Sequence, residues 1–410
     1  MIKRILYTLL IMFPVVASAQ INTDRVMAIG RNALYFEDYV LSIQYFNQVI
    51  NAKPYLSDPY FYRGLAKINL DDFQGAESDC SEAIERNPFV VSAYQVRGLA
   101  RIQQNNFAGA IEDYTKALEF DPENIGVWHN MALCRIRQED YKGAKNDLDK
   151  LIAISPRYTK AYLMRGEVDL KQKDTLAAEK DFGKAIEIDR YDADTWASRA
   201  ILRLQQQRYK DAEADFDHAI RLSTRNSGVY INRALARYHQ NNLRGAMSDY
   251  DIALDIDPNN FIGHYNRGLL RAQVGDDNRA IQDFNFVIEM EPDNMMAIFN
   301  RGLLLDQTGD YKGAIKDYST VINEYPNFLL GYQYRAQARR KIGDVKGADA
   351  DEFKVLKAQL DKQNGVDPNK QTADNTENNK TRKKSDKNMN NYRKIVVADN
   401  EEGEEKYKSD

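Results

Sequence analysis

The sequence predicts an all-α fold, a solenoid of ten helix–turn–helix hairpins, each 34 residues long. Three recurrences carry this reading. Gly64, Gly98, Gly166, Gly268 and Gly302 each follow an Arg and are spaced by multiples of 34. Ala132, Ala200, Ala234 and Ala336 fill the intervening slots, and Gly30 lies one step back. Ala76, Ala110, Ala144, Ala178, Ala212, Ala246, Ala280, Ala314 and Ala348 repeat in the same phase, with Ser42 ahead of them. Pro marks positions 54, 88, 122, 156, 258, 292 and 326. No insertion breaks the phase between about residues 23 and 362, and self-similarity at a fixed period is the mark of a repeat architecture.

The amino-terminal residues 1–19 are of another kind. Lys3 and Arg4 precede an apolar run from Ile5 to Val16, and Ala17-Ser18-Ala19 follows. That is the pattern of a secretory signal peptide with cleavage after Ala19. The run is shorter than the ~20 residues a spanning helix needs, and no later stretch reaches that length, so no integral span is expected after cleavage. No Cys stands at the junction to take a lipid. Export and residence in the periplasm, either free or at the periphery of the outer membrane, are the expectation.

Within a repeat, residues 295–328 show the logic of the hairpin. Met295 to Thr308 carries apolar residues at helical spacing, and Gly309-Asp310 ends one helix and caps the next. Tyr311, Ala314, Tyr318, Val321 and Ile322 then share one face of a second helix, which Pro326 closes. Gly302 and Ala314 fall where the two helices must approach closely, and a larger side chain there would introduce strain of ~1–3 kcal/mol.

An aromatic near the start, Gly or Ala at the eighth position, Ala at the twentieth and Pro at the thirty-second together resemble the tetratricopeptide repeat, in an exported, Bacteroidetes-like bacterial form. The resemblance spans residues 20–362, with ten repeats starting at about residue 23. It implies a right-handed superhelix whose first helices line a concave groove where protein or peptide ligands bind. One position departs from the family. The seventh, commonly Leu, is Arg63, Arg97, Arg165, Arg199, Arg233, Arg267, Arg301 and Arg335.

Sixteen residues after each of these lies Asp79, Asp113, Asp181, Asp215, Asp249, Asp283, Asp317 or Asp351. The first repeat has neither member, and the fourth keeps Asp147 opposite Met131. Ion pairs such as Arg97–Asp113, Arg267–Asp283 and Arg301–Asp317, within or between hairpins, are the structural reading. An anion-binding Arg ladder is the functional one.

In the groove that the resemblance implies, the fifth, ninth and twelfth positions form an apolar stripe. It begins at Phe61, Leu65 and Ile68, passes Tyr238, Tyr265, Leu269, Phe299 and Leu303, and ends at Gln333, Gln337 and Arg340. Exposed, it would be a partner surface larger than monomers usually show; packed between neighbouring helices, it would be core. Asn130, Asn232, Asn266 and Asn300 recur at the sixth position. They look like the asparagine ladder with which some superhelical members of the family grip a peptide backbone, since an amide both donates and accepts. The Lys and Asn of the family's carboxylate clamp are missing at the fifth and ninth positions.

Catalytic and metal chemistry find no constellation. His129, His218, His239 and His264 occupy four different repeat positions without ligand spacing, and no cofactor motif appears. Cys80 and Cys134 read as core residues two repeats apart, too far for a bridge. With 57 Lys+Arg against 61 Asp+Glu the net charge is −4, which offers no nucleic-acid footprint. Residues 363–410 lose the period. They are rich in Asn, Lys, Asp and Glu and read as a mostly disordered tail, with Tyr392–Val397 a strand-like run that could dock on a partner's sheet edge. No finishing element closes the array, as in a piece of a longer protein. The expected function is a non-enzymatic interaction scaffold of the cell envelope that holds a protein or peptide segment in its groove. The alternative is a spacer or assembly factor of an envelope machine, acting through its convex faces and tail.

Overall fold

A computed structural model of the chain describes residues 22–222, 225–364, 389 and 392–395; the leader reading lies outside these residues. The described residues divide into two units, one ending at Ile188 and the other beginning at Asp189. In the first, α1 (Thr23–Tyr35) packs on α2 (Tyr39–Ala52), and α3 (Asp58–Ile68) on α4 (Phe73–Arg86). The same unit pairs α5 (Val91–Gln103) with α6 (Phe107–Phe120), α7 (Ile125–Arg137) with α8 (Tyr141–Ile154), and α9 (Thr159–Lys171) with α10 (Thr175–Ile188).

The second unit pairs α11 (Ala193–Gln205) with α12 (Tyr209–Arg221), and α13 (Ser227–His239) with α14 (Leu243–Ile256). It continues with α15 (Phe261–Gln273) on α16 (Asp277–Met290), α17 (Met295–Thr308) on α18 (Tyr311–Glu324), and α19 (Leu329–Lys341) on α20 (Val345–Gln363). The period thus becomes hairpins in strict succession, and α17 and α18 have the limits expected from Gly309 and Pro326. The final helix runs one residue beyond the expected boundary at 362.

Each inner turn is built alike. Counting positions from Thr23, the fifteenth residue is left-handed in every repeat: φ is 59° to 64° at Glu37, Asp71, Asn105, Glu139, Lys173, Gln207 and Asn241, and 82° to 93° at Gly275, Gly309 and Gly343. The sixteenth N–H then reaches the eleventh carbonyl, as in Asp140 to Arg135 at 2.9 Å, which satisfies a helix end that would otherwise be open. The sixteenth side chain caps the next helix. Asp38, Asp72, Asn106, Asp140, Asp174, Asn242, Asp310 and Asp344 each accept from the N–H three residues on.

The hairpin closes on one contact. The eighth residue of the first helix lies on the twenty-fourth of the second, so a Cβ on Gly98 would sit 2.8 Å from the Tyr114 ring. On Gly166 it would sit 2.6 Å from Phe182. Around this contact Phe46, Tyr114, Phe182, Phe216, Tyr250, Phe284 and Tyr318 are buried. Within the first unit successive hairpins are stitched by the fourth position: Trp128 donates to the Pro122 carbonyl at 2.8 Å and Tyr162 to that of Pro156 at 3.1 Å.

Two changes should stabilise the fold. Lys173→Gly removes the Cβ from a left-handed turn and is expected to gain up to about 1 kcal/mol, read from the urea midpoint. Tyr250 is fully buried, and its hydroxyl has no hydrogen-bond partner among the described residues, while Phe216 and Phe284 fill the same register without one. Tyr250→Phe should therefore raise stability by about 1 kcal/mol, and a lower melting temperature would contradict this account.

Candidate functional site

The Arg at the seventh position spans two hairpins. In one direction it meets the Asp sixteen residues later as a fork: Arg97 reaches Asp113 at 2.6 and 3.1 Å, Arg267 reaches Asp283 at 2.7 and 3.2 Å, and Arg301 reaches Asp317 at 2.7 and 2.8 Å. In the other, its remaining nitrogen donates sixteen residues back, to the second helix of the preceding hairpin. Arg97 bonds Ser81 at 3.1 Å, Arg165 bonds Asp149 at 2.6 Å, Arg267 bonds Asp251 at 2.8 Å and Arg301 bonds Asn285 at 2.9 Å. The guanidinium lies over the aromatic ring at the fourth position, as Arg97 does over Tyr94.

A second cation at the eleventh position, not singled out by the period, completes the carboxylate: Arg101 to Asp113 at 3.0 Å, Arg237 to Asp249 at 2.9 Å and Arg271 to Asp283 at 2.7 Å. These guanidiniums are consumed by carboxylates on the chain itself, so the rungs are structural joints.

The fourth repeat shows what the rung does. With Met131 in the Arg slot, Asp147 meets only Arg135, 2.7 Å away but out of line for a hydrogen bond. Burial pushes its carboxyl up to about 6, and Arg135 opposes this only in part. At Asp113 and Asp249 two arginines oppose burial and the pKa still rises, whereas at Asp283 a further bond from His264 joins Arg267 and Arg271 and the pKa falls below the usual 3.8. The fifth repeat reverses the polarity. There Asp169 stands at the eleventh position and takes Lys145 at 2.5 Å, in the register where Arg101 meets Glu77 and Arg237 meets Glu213.

The apolar stripe is part core and part half-buried surface. Tyr265 and Phe299 are buried, Leu204, Ile231 and Leu235 likewise, while Phe61, Tyr238, Leu269 and Leu303 are half-buried. Asn130, Asn232, Asn266 and Asn300 are buried as well. Neighbouring first helices meet along this face, α11 touching α13 and α15 touching α17. The first unit keeps a cavity of about 320 Å³ lined by Leu65, Ile68, Gln95, Leu99 and Asn130. Phe61 stands beside Tyr62, with ring centroids 5.0 Å apart.

In the second unit three of the sequence-derived residues converge on the chain's own carboxy-terminal segment. The Asn300 side-chain N–H and the Tyr265 hydroxyl both donate to the Tyr392 carbonyl, each at 2.6 Å. The Phe299 ring meets the Tyr392 ring edge-on at 4.8 Å. Met389 is buried with Phe299, Tyr318 and Phe328, and Ile395 with Leu204 and Leu235, alongside Tyr238. Contrary to the strand reading, the run starts in a turn, because the Tyr392 N–H bonds the Met389 carbonyl at 3.3 Å. Tyr392 and Ile395 also turn inward to the chain's own groove, and Val396 and Val397 lie outside the described residues. No periodic signal marks Met389, so its role could not be read from the repeat. A cavity of about 440 Å³ adjoins the segment, between Leu269, Gln273, Leu303, Gln307 and Arg393.

The histidines serve packing. His129 meets the Tyr158 hydroxyl at 3.1 Å, His264 bonds Asp283, His218 stacks on Trp196 and His239 on Tyr209. Cys80 and Cys134 are free and buried, and burial pushes both thiols up to about 12. Among the described residues no three metal-capable side chains cluster, and no helix is long and apolar enough to cross a membrane.

Hairpins in constant register, with a seam of first helices on one face, define a helical-repeat interaction scaffold rather than a compact domain with one pocket. Family models described as tetratricopeptide repeat match residues 125–158, 159–192, 198–261 and 265–327, and one described as TPR repeat matches 98–134. The chain is a tetratricopeptide-repeat protein. Among solved structures it is similar to a tetratricopeptide repeat protein from Parabacteroides merdae, at 21% identity over 61% of this chain and 98% of that one, with a TM-score of 0.47. It is also similar to Pseudomonas aeruginosa pilF, at 20% identity over 49% and 92% with a TM-score of 0.43. YrrB, titled a TPR protein with an unusual peptide-binding site, matches at 20% over 45% and 95%, with a TM-score of 0.38. No curated protein matches the chain.

The rungs predict opposite outcomes at two Asp residues. Between about pH 4 and pH 6 the folded chain holds a proton on Asp147 that the unfolded chain has released, so this group favours the fold below that window and the gain is lost as the pH rises through 6. Asp147→Asn should flatten that slope and leave the melting temperature at pH 7.5 unchanged or higher. Asp249→Asn strips a buried carboxylate from Arg233 and Arg237 and should cost about 3–5 kcal/mol.

Proposed function

We propose that the chain is a non-catalytic scaffold of the bacterial cell envelope, exported by its first nineteen residues, that holds a peptide or protein segment along its first helices. The observation that carries this reading is the double clamp on the Tyr392 carbonyl by Asn300 and Tyr265. Two buried donors aimed at one main-chain oxygen hold a backbone whatever its side chains, while the adjoining apolar walls of Phe299 and Leu269 accept the side chains. The leader pattern supports residence in the periplasm.

A second reading, assembly through outer edges, has its own support. Tyr55, Phe89 and Tyr191 recur at the thirty-third position and are 69%, 74% and 76% exposed, and Phe89 packs edge-on with Phe120. Aromatics left that open at hairpin tips favour docking on a flat partner.

Envelope proteins retained by the wild-type chain and by an Asn300→Ala/Tyr265→Phe variant separate the two readings. Loss of partners in the variant, at an unchanged melting temperature, is the expected result. Full retention, with loss on Phe89→Ser, would instead establish the edge reading. Protein recovered from the periplasm by osmotic shock should begin at Gln20 by mass spectrometry, and recovery only from the cytoplasm would refute export.

A further inference from the structure

We infer that residues 389–395 are a resident occupant of the second unit's groove, a built-in competitor that a partner must displace and whose chemistry the partner reproduces. The inference rests on the groove reading proposed above and adds to it the occupant and the class of ligand. Three anchors fall three residues apart and descend the array against the direction of the chain. Met389, 2% exposed, enters the cluster of Phe299 and Phe328; Tyr392 is clamped through its carbonyl; Ile395, 8% exposed, closes on Leu204 and Leu235. These three anchors engage the walls built by α11, α13, α15, α17 and α19. Between the anchors, Arg393 and Lys394 remain exposed.

Such a fit is that of a ligand. The apolar side chains leave water for walls that the array already provides, and the one carbonyl held by Asn300 and Tyr265 is otherwise an unpaired acceptor in a buried place. Nothing in the 34-residue pattern requires this segment, since the hairpins close through their own contacts. The matching partner is a peptide segment carrying an apolar residue, an aromatic three residues on and an aliphatic residue three further, with basic residues tolerated between the last two. Because the resident copy is tethered, its effective concentration is on the order of mM, so a free segment of the same sequence competes poorly.

The test uses the full chain and a fluorophore-labelled synthetic peptide spanning residues 386–398, with binding followed by anisotropy. In the Tyr392→Ala/Ile395→Asp variant the groove residues are untouched and the resident segment is weakened. The peptide should bind this variant at least about tenfold more tightly than wild type, as expected for removal of a tethered competitor. Adding Asn300→Ala should abolish the gain at an unchanged melting temperature.

Equal binding to wild type and to the tail variant, still lost with Asn300→Ala, would overturn the resident occupant while leaving the groove function standing. Absence of binding to both would overturn the occupant and the groove reading together. Sedimentation of wild type as an oligomer that the tail variant converts to monomer would overturn occupancy within one chain in favour of exchange between copies.

Discussion

How closely two helices can approach governs the rest of this molecule. The eighth position is Gly or Ala because the twenty-fourth places a ring or a branched side chain directly against it. That approach brings the neighbouring seventh and twenty-third positions within one side chain's reach. An Arg there can fork onto an Asp without stretching, and its third nitrogen is left to hold the preceding hairpin. In most repeats the Leu usual to the family is thus replaced by a polar joint. Buried ion pairs seldom add net stability over a well-packed apolar alternative, but they fix register, because a charge left unpaired in the core is expensive. Asp147, where Met131 stands in the Arg slot, shows burial outweighing the one remaining cation, Arg135, and pushing the carboxyl up to about 6.

The same packing decides what the groove offers. Small residues at the eighth position draw the two helices of a hairpin together, and adjacent first helices leave most of the apolar stripe half-buried. What is left for recognition is a few donors and partial ring faces. In the second unit these are Asn300, Tyr265 and the edge of Phe299, and the chain's own Tyr392 already uses all three.

Much of the fold was legible in the sequence. Period, hairpin limits and the Arg–Asp offset follow from local rules acting on a repeating string, so they survive without knowledge of the third dimension. The left-handed fifteenth position was read only at Gly309, because Glu139 or Lys173 carries no mark of a positive φ. The eleventh-position cations and the backward bond of each Arg were missed, since the residues that accept it vary between Ser, Asn and Asp. The site was less legible still. Asn300, Tyr265, Tyr238 and Phe299 could be picked out by position, but their common neighbour could not. Met389 and Ile395 lie outside the period, and contacts spanning about a hundred residues leave no trace in spacing.

The two arms of each Arg reach equal distances along the chain, sixteen residues forward across the inner turn and sixteen back across the outer one. Together they act as a frame check on the array. One residue inserted into an inner turn would silence the forward arm, and one in an outer turn the backward arm, each leaving a guanidinium or a carboxylate stranded in the core. Surface loops ordinarily drift in length at little expense; here both turns of every hairpin are proofread by the same side chain. A solenoid so policed can gain or lose whole repeats but not single residues, which gives its length a natural unit of change.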